Sequence, residues 1–390
     1  MELKFCGIDP ATSTPDEIRN EIDRLDALAS DWRNEEQAIK LAINSIYGGL
    51  GNKYFVAHNA DVAEAVTKQG QDLIKYAERV MNEYFYDWHN KKELHQRMGI
   101  KGEVIPVLKP VNVYSDTDSC YVSYEEVLKS CDWEGDPKEF ILLINKLDLT
   151  EHLKDKFREY ADNLGVANYQ DFELENISES GIWMAKKKYV LDKIWESGID
   201  LEPRTHLTYK GIELAQSVTP PMSRKKMKEM IDYIFEKKKS LQIREVMKML
   251  KEYKTEFKLA EPEEISMGRG ITDYNKSVLN DTKAVEVAKG CPIQVRAAAM
   301  YNYQLNNNPT AKQKYELIRN GSKVKFYYVK SRNSDEVFAF LPGAYPYEFA
   351  PPIDYDQMFA KTIIDPLNRV LEALGLPYIE PTLFVRPPLF

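Results

Sequence analysis

The chain has 390 residues, a length that favours two or three domains over a single core. Hydrophobic residues make up 43% and aromatic residues 11%, which excludes disorder as the main state. Sixty-one acids against fifty-three bases give a net charge of -8, an average that argues weakly against a nucleic-acid binder.

That average conceals segregation. Residues 222–258 hold twelve Lys/Arg against six Asp/Glu, a local basic footprint on an acidic chain, and a polyanion meets local fields. No apolar run approaches the roughly 18 residues that a membrane span needs. Residues 1–14 have neither the basic cap nor the apolar stretch of a secretory signal. Cys6, Cys120, Cys131 and Cys291 are scattered with no CxxC pair, and there is no HExxH. Neither a zinc module nor a disulfide framework is indicated, so the chain reads as reduced and cytoplasmic, with no membrane partner.

In chain order, residues 1–29 are acidic and helix-prone, with Thr14 as cap and Pro15 in the first turn. A second helix is expected over 30–47, stopping at Gly48–Gly49. A long helix follows over 60–88, then a strand pair around 111–124, a helix over 140–162, and extended segments near 171–177 and 182–192. Residues 222–258 predict two amphipathic helices separated at Lys237–Lys239. Met227, Ile231, Ile234 and Phe235 face inward on the first, and Ile243, Val246, Leu250 and Tyr253 on the second. After 260 the chain is mixed and turn-rich, ending in "PTLFVRPPLF".

The segment "VNVYSDTDSCYV" (111–122) predicts strand, tight turn and strand, with Asp116 and Asp118 at the tip. Two apart in an extended chain, their carboxylates would share a side. Clustered carboxylates repel unless a cation lies between them, and oxygen donors of this density suit magnesium or manganese. An ordinary Asp-rich turn reads the same way, since Asp favours turns.

Along "RNEEQAIKLAINSIYGG" (33–49), Arg33, Gln37, Lys40, Asn44 and Tyr47 form one polar stripe, with Ala38, Ile39, Ala42, Ile43 and Ile46 on an opposite face expected to be buried. A cation, an amide and a ring in line suit a phosphorylated planar ligand, and Gly48 permits close approach. A solvated helix face is the alternative.

In order and spacing these elements resemble family B DNA polymerases. "KLAINSIYGGLG" (40–51) is similar to the fingers-helix motif and "YSDTDS" (114–119) to the palm motif with paired aspartates. "AKKKYV" (185–190) resembles the lysine–tyrosine motif that touches primer–template DNA, with Lys188 where arginine is usual. "KGIELAQSVTP" (210–220) resembles the palm-to-thumb junction, and "CPIQVRAAAMYNYQL" (291–305) a thumb segment of T-even-like bacteriophage replicative polymerases.

The resemblance implies an α+β fold: a palm of antiparallel sheet with packed helices, a helical fingers fragment and a mainly helical thumb. Fingers would span 1–52, palm 53–212, thumb 213–382, and a clamp-binding peptide 383–390. It implies DNA-directed DNA synthesis with two magnesium ions, for which manganese can substitute. Asp118 would ligate both ions with Asp116 beside them, and Glu175 in "FELENIS" (172–178) would be a further palm acid, although its flanking segment is shorter here. Lys40 and Asn44 would hold the incoming dNTP, and Tyr47 with Gly48 would line the nascent base pair. Lys186, Lys187, Lys188 and Tyr189 would meet primer–template DNA. Leu383, Phe384, Leu389 and Phe390 would dock on a sliding clamp.

The family's other metal-binding aspartate belongs to a motif ending Ser-Leu-Tyr-Pro-Ser, a string that this sequence does not contain. The resemblance therefore implies one subunit of a split polymerase. An N-terminal partner would carry that aspartate and the exonuclease, and a shortened chain is the alternative. Localisation would be the cytoplasm, of the host cell if the protein is viral. A non-catalytic, polymerase-derived DNA-binding factor is a second reading, but it would need neither the paired aspartates nor the Lys40, Asn44 and Tyr47 stripe. A metal-dependent nuclease would need a further acid cluster, and the sequence offers none.

Overall fold

The computed structural model describes residues 7–9, 12–202, 207–212, 218–331 and 336–384. Helices alternate with small antiparallel sheets, so the expected α+β class holds. Two compact units divide the chain in sequence between Phe172 and Glu173, within the 53–212 segment assigned to one palm.

In the first unit, helix α1 (Pro15–Gly51) opens on a capping box. The Glu17 N–H donates to Thr14 Oγ1 at 3.4 Å, and Glu17 Oε2 accepts from the Thr14 N–H at 2.8 Å. The expected break at Ser30 is absent, and the helix runs unbroken for 37 residues. Nothing between Pro15 and Gly48 would stop it, since residues 16–47 contain neither proline nor glycine. Nor does it end at Gly48–Gly49. It continues to Gly51, where the Asn52 N–H donates to the Gly49 carbonyl at 3.0 Å, while His58 Nδ1 hydrogen-bonds the Leu50 carbonyl at 2.8 Å.

The apolar face of α1 is a second correction. Ile39, Ile43 and Ile46 are 61%, 61% and 64% exposed, and the helix buries no residue at all. Periodicity identifies which face is apolar but cannot supply the element that covers it. Among the described residues none does.

Helix α2 (Ala60–Tyr86) is the spine of this unit. Asn59 caps it, and its inner face buries Ala77, Val80, Met81, Tyr84 and Phe85. Helix α3 (Lys92–Met98), strands β1 (Asn112–Asp116) and β2 (Ser119–Val122), and helices α4 (Glu125–Ser130), α5 (Pro137–Ile144) and α6 (Thr150–Asn163) complete it. Trp88, Phe140 and Phe157 close the core, and the Tyr84 hydroxyl donates to Asp148 Oδ2 at 2.7 Å. One contact matters for the site. Asn82 Oδ1 on α2 accepts from the Val111 and Asn112 N–H groups at 2.8 and 3.2 Å, tying the start of β1 to the spine.

The second unit begins with strands β3 (Asn176–Ala185), β4 (Lys188–Glu196), β5 (Ile199–Asp200) and β6 (Leu207–Lys210), with β4 central in an antiparallel sheet. Helices α7 (Pro221–Lys237) and α8 (Ile243–Leu259) follow. Their break falls at Lys237–Lys239 as expected, and Met227, Ile231, Ile234, Phe235, Val246, Leu250 and Tyr253 are buried. Ile243 is only half-buried. A three-stranded antiparallel sheet (Met267–Gly270, Lys323–Tyr328, Val337–Phe340) and helix Ile293–Asn306 extend the same core. Among the described residues no helix is long and apolar enough to cross a membrane.

Candidate functional site

Strands β1 and β2 pair with each other in an antiparallel hairpin, Ser115 opposite Cys120 and Asp116 opposite Ser119. That register leaves Thr117 and Asp118 as the turn. Thr117 has φ +58, a strained conformation for a β-branched residue. The Asp118 N–H donates to the Asp116 carbonyl at 2.7 Å, a three-residue turn of the rare positive-φ kind. The Thr117 hydroxyl donates to Asp116 Oδ1 at 3.1 Å, and the Ser119 hydroxyl to the Asp116 carbonyl at 3.2 Å.

The even-spacing argument for the two acids therefore does not apply, because only Asp116 belongs to a strand. Asp116 is half-buried and Asp118 is exposed. Among the described residues no group of three or more His, Cys, Asp or Glu is gathered to hold a metal ion. Magnesium needs no such cage, since it commonly takes one or two carboxylates together with substrate phosphates and water. An exposed carboxylate at a braced turn with a second beside it fits as the protein's part of such a donor set.

The polar stripe of α1 is open. Lys40 Nζ lies 3.4 Å from Glu36 Oε1, an ion pair whose side chains are both 65% exposed and which therefore holds the lysine only loosely. Asn44 is exposed. The Tyr47 hydroxyl lies 2.8 Å from Thr67 Oγ1 on α2. Beside it, a Cβ at Gly48 would meet nothing within 4 Å, whereas one at Gly49 would lie 2.9 Å from the Phe55 ring. Gly48 thus leaves open space and Gly49 is filled from behind. Thr67 was missed in the sequence, because no local pattern links it to a tyrosine on another helix.

In the second unit the three lysines lie where β3 turns into β4. Ala185 pairs with Lys188, so Lys186 and Lys187 form a two-residue turn, with Lys187 at φ +61. Lys186 and Lys187 are exposed and Lys188 half-buried. Tyr189, which follows them, is only 6% exposed, because it lies within β4 opposite Trp183. Glu175 is exposed just before β3, and its carbonyl accepts from the Ser197 N–H at 2.9 Å. It belongs to the second unit, whereas Asp116 and Asp118 belong to the first.

The basic helices divide their charges. Lys226 is buried between Glu229 and Glu256, at 3.2 and 2.8 Å, and Lys254 is buried against Asp356. Lys225, Lys228, Lys248, Lys251 and Lys258 remain exposed. At the C-terminal end Leu383 is 63% exposed, but Phe384 is buried with its ring 5.9 Å from that of Phe359. Phe384 is therefore core, not the exposed anchor expected. Leu389 and Phe390 lie outside the described residues.

The family model for DNA polymerase family B matches residues 16–133, which include both the α1 stripe and the aspartate hairpin. The chain is 27% identical over 363 residues to a DNA-directed DNA polymerase of Escherichia phage RB69, covering 87% of this chain and 37% of that protein. A DNA-directed DNA polymerase of Enterobacteria phage T4 is 25% identical over 362 residues, with the same coverage of 87% and 37%. A DNA polymerase catalytic subunit of Psittacid herpesvirus 1 is 28% identical over 99 residues, 25% of this chain. The chain thus spans 37% of the length of the two phage relatives. Taken with the hairpin and the stripe, these matches make the chain similar to family B DNA polymerases over residues 16–133 and to the DNA-directed DNA polymerases of phages RB69 and T4 over most of its length.

Proposed function

We propose that the chain takes part in template-directed DNA synthesis, supplying the second fingers helix (1–52), palm (53–212) and thumb (213–382) of a polymerase. The observation that carries this reading is the aspartate hairpin. It holds a half-buried Asp116 and an exposed Asp118 at a strained, internally hydrogen-bonded turn that Asn82 braces from α2. Magnesium bound there would activate the primer 3′-oxygen and stabilise the leaving pyrophosphate, with manganese able to substitute.

The chain's own residues bind and orient. Lys40 and Asn44 meet the triphosphate of an incoming dNTP, and Tyr47 with the open side of Gly48 lines the new base pair. Lys186, Lys187 and the exposed lysines of α7 and α8 follow the phosphates of primer–template DNA. Further carboxylates come from another polypeptide segment, either an N-terminal subunit of a split enzyme or a continuation of this chain. A hairpin whose two strands pair only with each other among the described residues supports that reading, since an isolated pair is marginal by itself and leaves edges for another strand. Leu389 and Phe390 are assigned to a sliding clamp, in the cytoplasm of a host cell.

Asp118→Asn tests the reading. In the assembled enzyme it should abolish primer extension while leaving binding of a labelled primer–template intact. Extension within about tenfold of wild type would remove Asp118 from the metal site.

A further inference from the structure

Gly211 follows β6 and has φ +62, a conformation costly to any residue with a side chain. Space excludes a side chain as firmly as the backbone angle does. A Cβ at Gly211 would lie 1.9 Å from the Lys187 carbonyl oxygen, 3.0 Å from the Lys187 carbonyl carbon and 3.4 Å from Lys188 Cγ. The contact follows from register. Lys210 pairs with Tyr189 across β6 and β4, so the next residue of β6 runs directly against the lysine turn.

Lys187 itself has φ +61, unusual for a lysine, and such a conformation persists only where its surroundings hold it. Besides the hairpin turn itself, those surroundings include the backbone of Gly211, pressed against the Lys187 carbonyl on the side where any other residue would place a methyl group.

We infer that Gly211 is a positioning residue for the Lys186–Lys187 turn: by lacking a side chain it lets the backbone after β6 hold Lys187 in its left-handed conformation, and so aims the lysine ammonium groups at a DNA phosphate. The inference rests on the assignment of these lysines to DNA. Gly211 itself makes no contact with DNA, so its effect passes entirely through the turn.

The test uses the full chain and a fluorescein-labelled primer–template duplex, with anisotropy read from about 50 to 200 mM salt. Lys187→Ala should weaken binding and make the plot of log affinity against log salt shallower by about one, the change for one lost phosphate contact. Gly211→Ala should weaken binding and flatten the slope as much, with a melting temperature only modestly below wild type, because the strain is confined to the turn. Gly211→Asn, which tolerates positive φ but carries a Cβ, should do the same, because the close approach is lost as well. The double variant Gly211→Ala/Lys187→Ala should be no worse than either single one, since both remove the same contact.

A wild-type salt slope in Gly211→Ala beside a flattened slope in Lys187→Ala overturns the inference and leaves the DNA reading standing. So do losses that multiply in the double variant, or a Gly211→Ala chain that melts far below wild type, which would make Gly211 a residue of the fold as a whole. Unchanged binding by Lys187→Ala at every salt overturns the DNA assignment of the turn, and the inference falls with it.

Discussion

The Tyr47 hydroxyl donates its proton to Thr67 Oγ1 across α1 and α2, at 2.8 Å. The direction follows from the threonine, whose single proton already goes to the Ala63 carbonyl at 2.9 Å. Tyr47 therefore faces outward with oxygen lone pairs only, beside the open side of Gly48. A ring fixed in this way presents a hydrogen-bond acceptor at a set height.

Thr67→Val keeps the size of the residue but removes the acceptor, so the Tyr47 ring would no longer be held. Nucleotide insertion should fall by about three- to tenfold, the value of one neutral hydrogen bond, and Thr67→Ser should restore it. Single-turnover insertion rates decide it. A valine variant indistinguishable from wild type would show that the hydrogen bond does not order Tyr47 during synthesis.

Lys40→Ala should raise the apparent nucleotide KM by roughly ten- to a hundredfold, the range for a lost charge-assisted contact. Its pair with Glu36 is solvent-exposed, so little stability should go with it. The loss should be similar for all four nucleotides, since the proposed contact is to phosphate. A strongly base-dependent loss would contradict the assignment.

What the sequence disclosed is what depends on local chemistry. Val113, Tyr121 and the Asp-rich tip made the hairpin legible, and Lys237–Lys239 marked the break between α7 and α8. What it hid depends on distant partners or on a single register. The helix period assigned Ile43 to the apolar side of α1 but could not say that the side is open. Tyr189 and Phe384 resemble contact residues in the linear sequence, and packing has taken both inward. Thr67 and Gly211 matter only through what faces them, Tyr47 and the Lys187 carbonyl.

Acid should loosen the first unit. Burial holds the His95 and His152 pKa values below that of a free imidazole, with the nearby Lys91 cation pushing the same way. A lowered folded pKa means that the unfolded chain takes up protons first as pH falls. Stability is then full above about pH 6.5 and declines below it. The melting temperature should drop from pH 7 to 5, and the double variant His95→Gln/His152→Gln should drop less. Equal slopes for both proteins would assign the acid sensitivity to other groups.

This chain by itself should incorporate essentially no nucleotide, and should gain activity when a second polypeptide supplies an acidic palm strand. Three observations lead to that expectation. Asp116 and Asp118 come from one turn, and among the described residues no third acid, His or Cys joins them in a metal-binding group, whereas two ions in register with a triphosphate need oxygen donors from more than one side. Strands β1 and β2 pair only with each other among those residues, which leaves hairpin edges that a further strand can join. The α1 face formed by Ile39, Ile43 and Ile46 is more than half exposed at each position, a stripe suited to a second helix. A partner that covered both would bury on the order of 2,000 Å² or more, the scale of an obligate interface, so the lone chain should self-associate at high concentration. The measurement is primer extension by the chain alone and then with the candidate partner, alongside light scattering of each. A lone, monomeric chain that extends primers robustly would mean that it completes its own metal site, and that the open face of α1 has no partner to find.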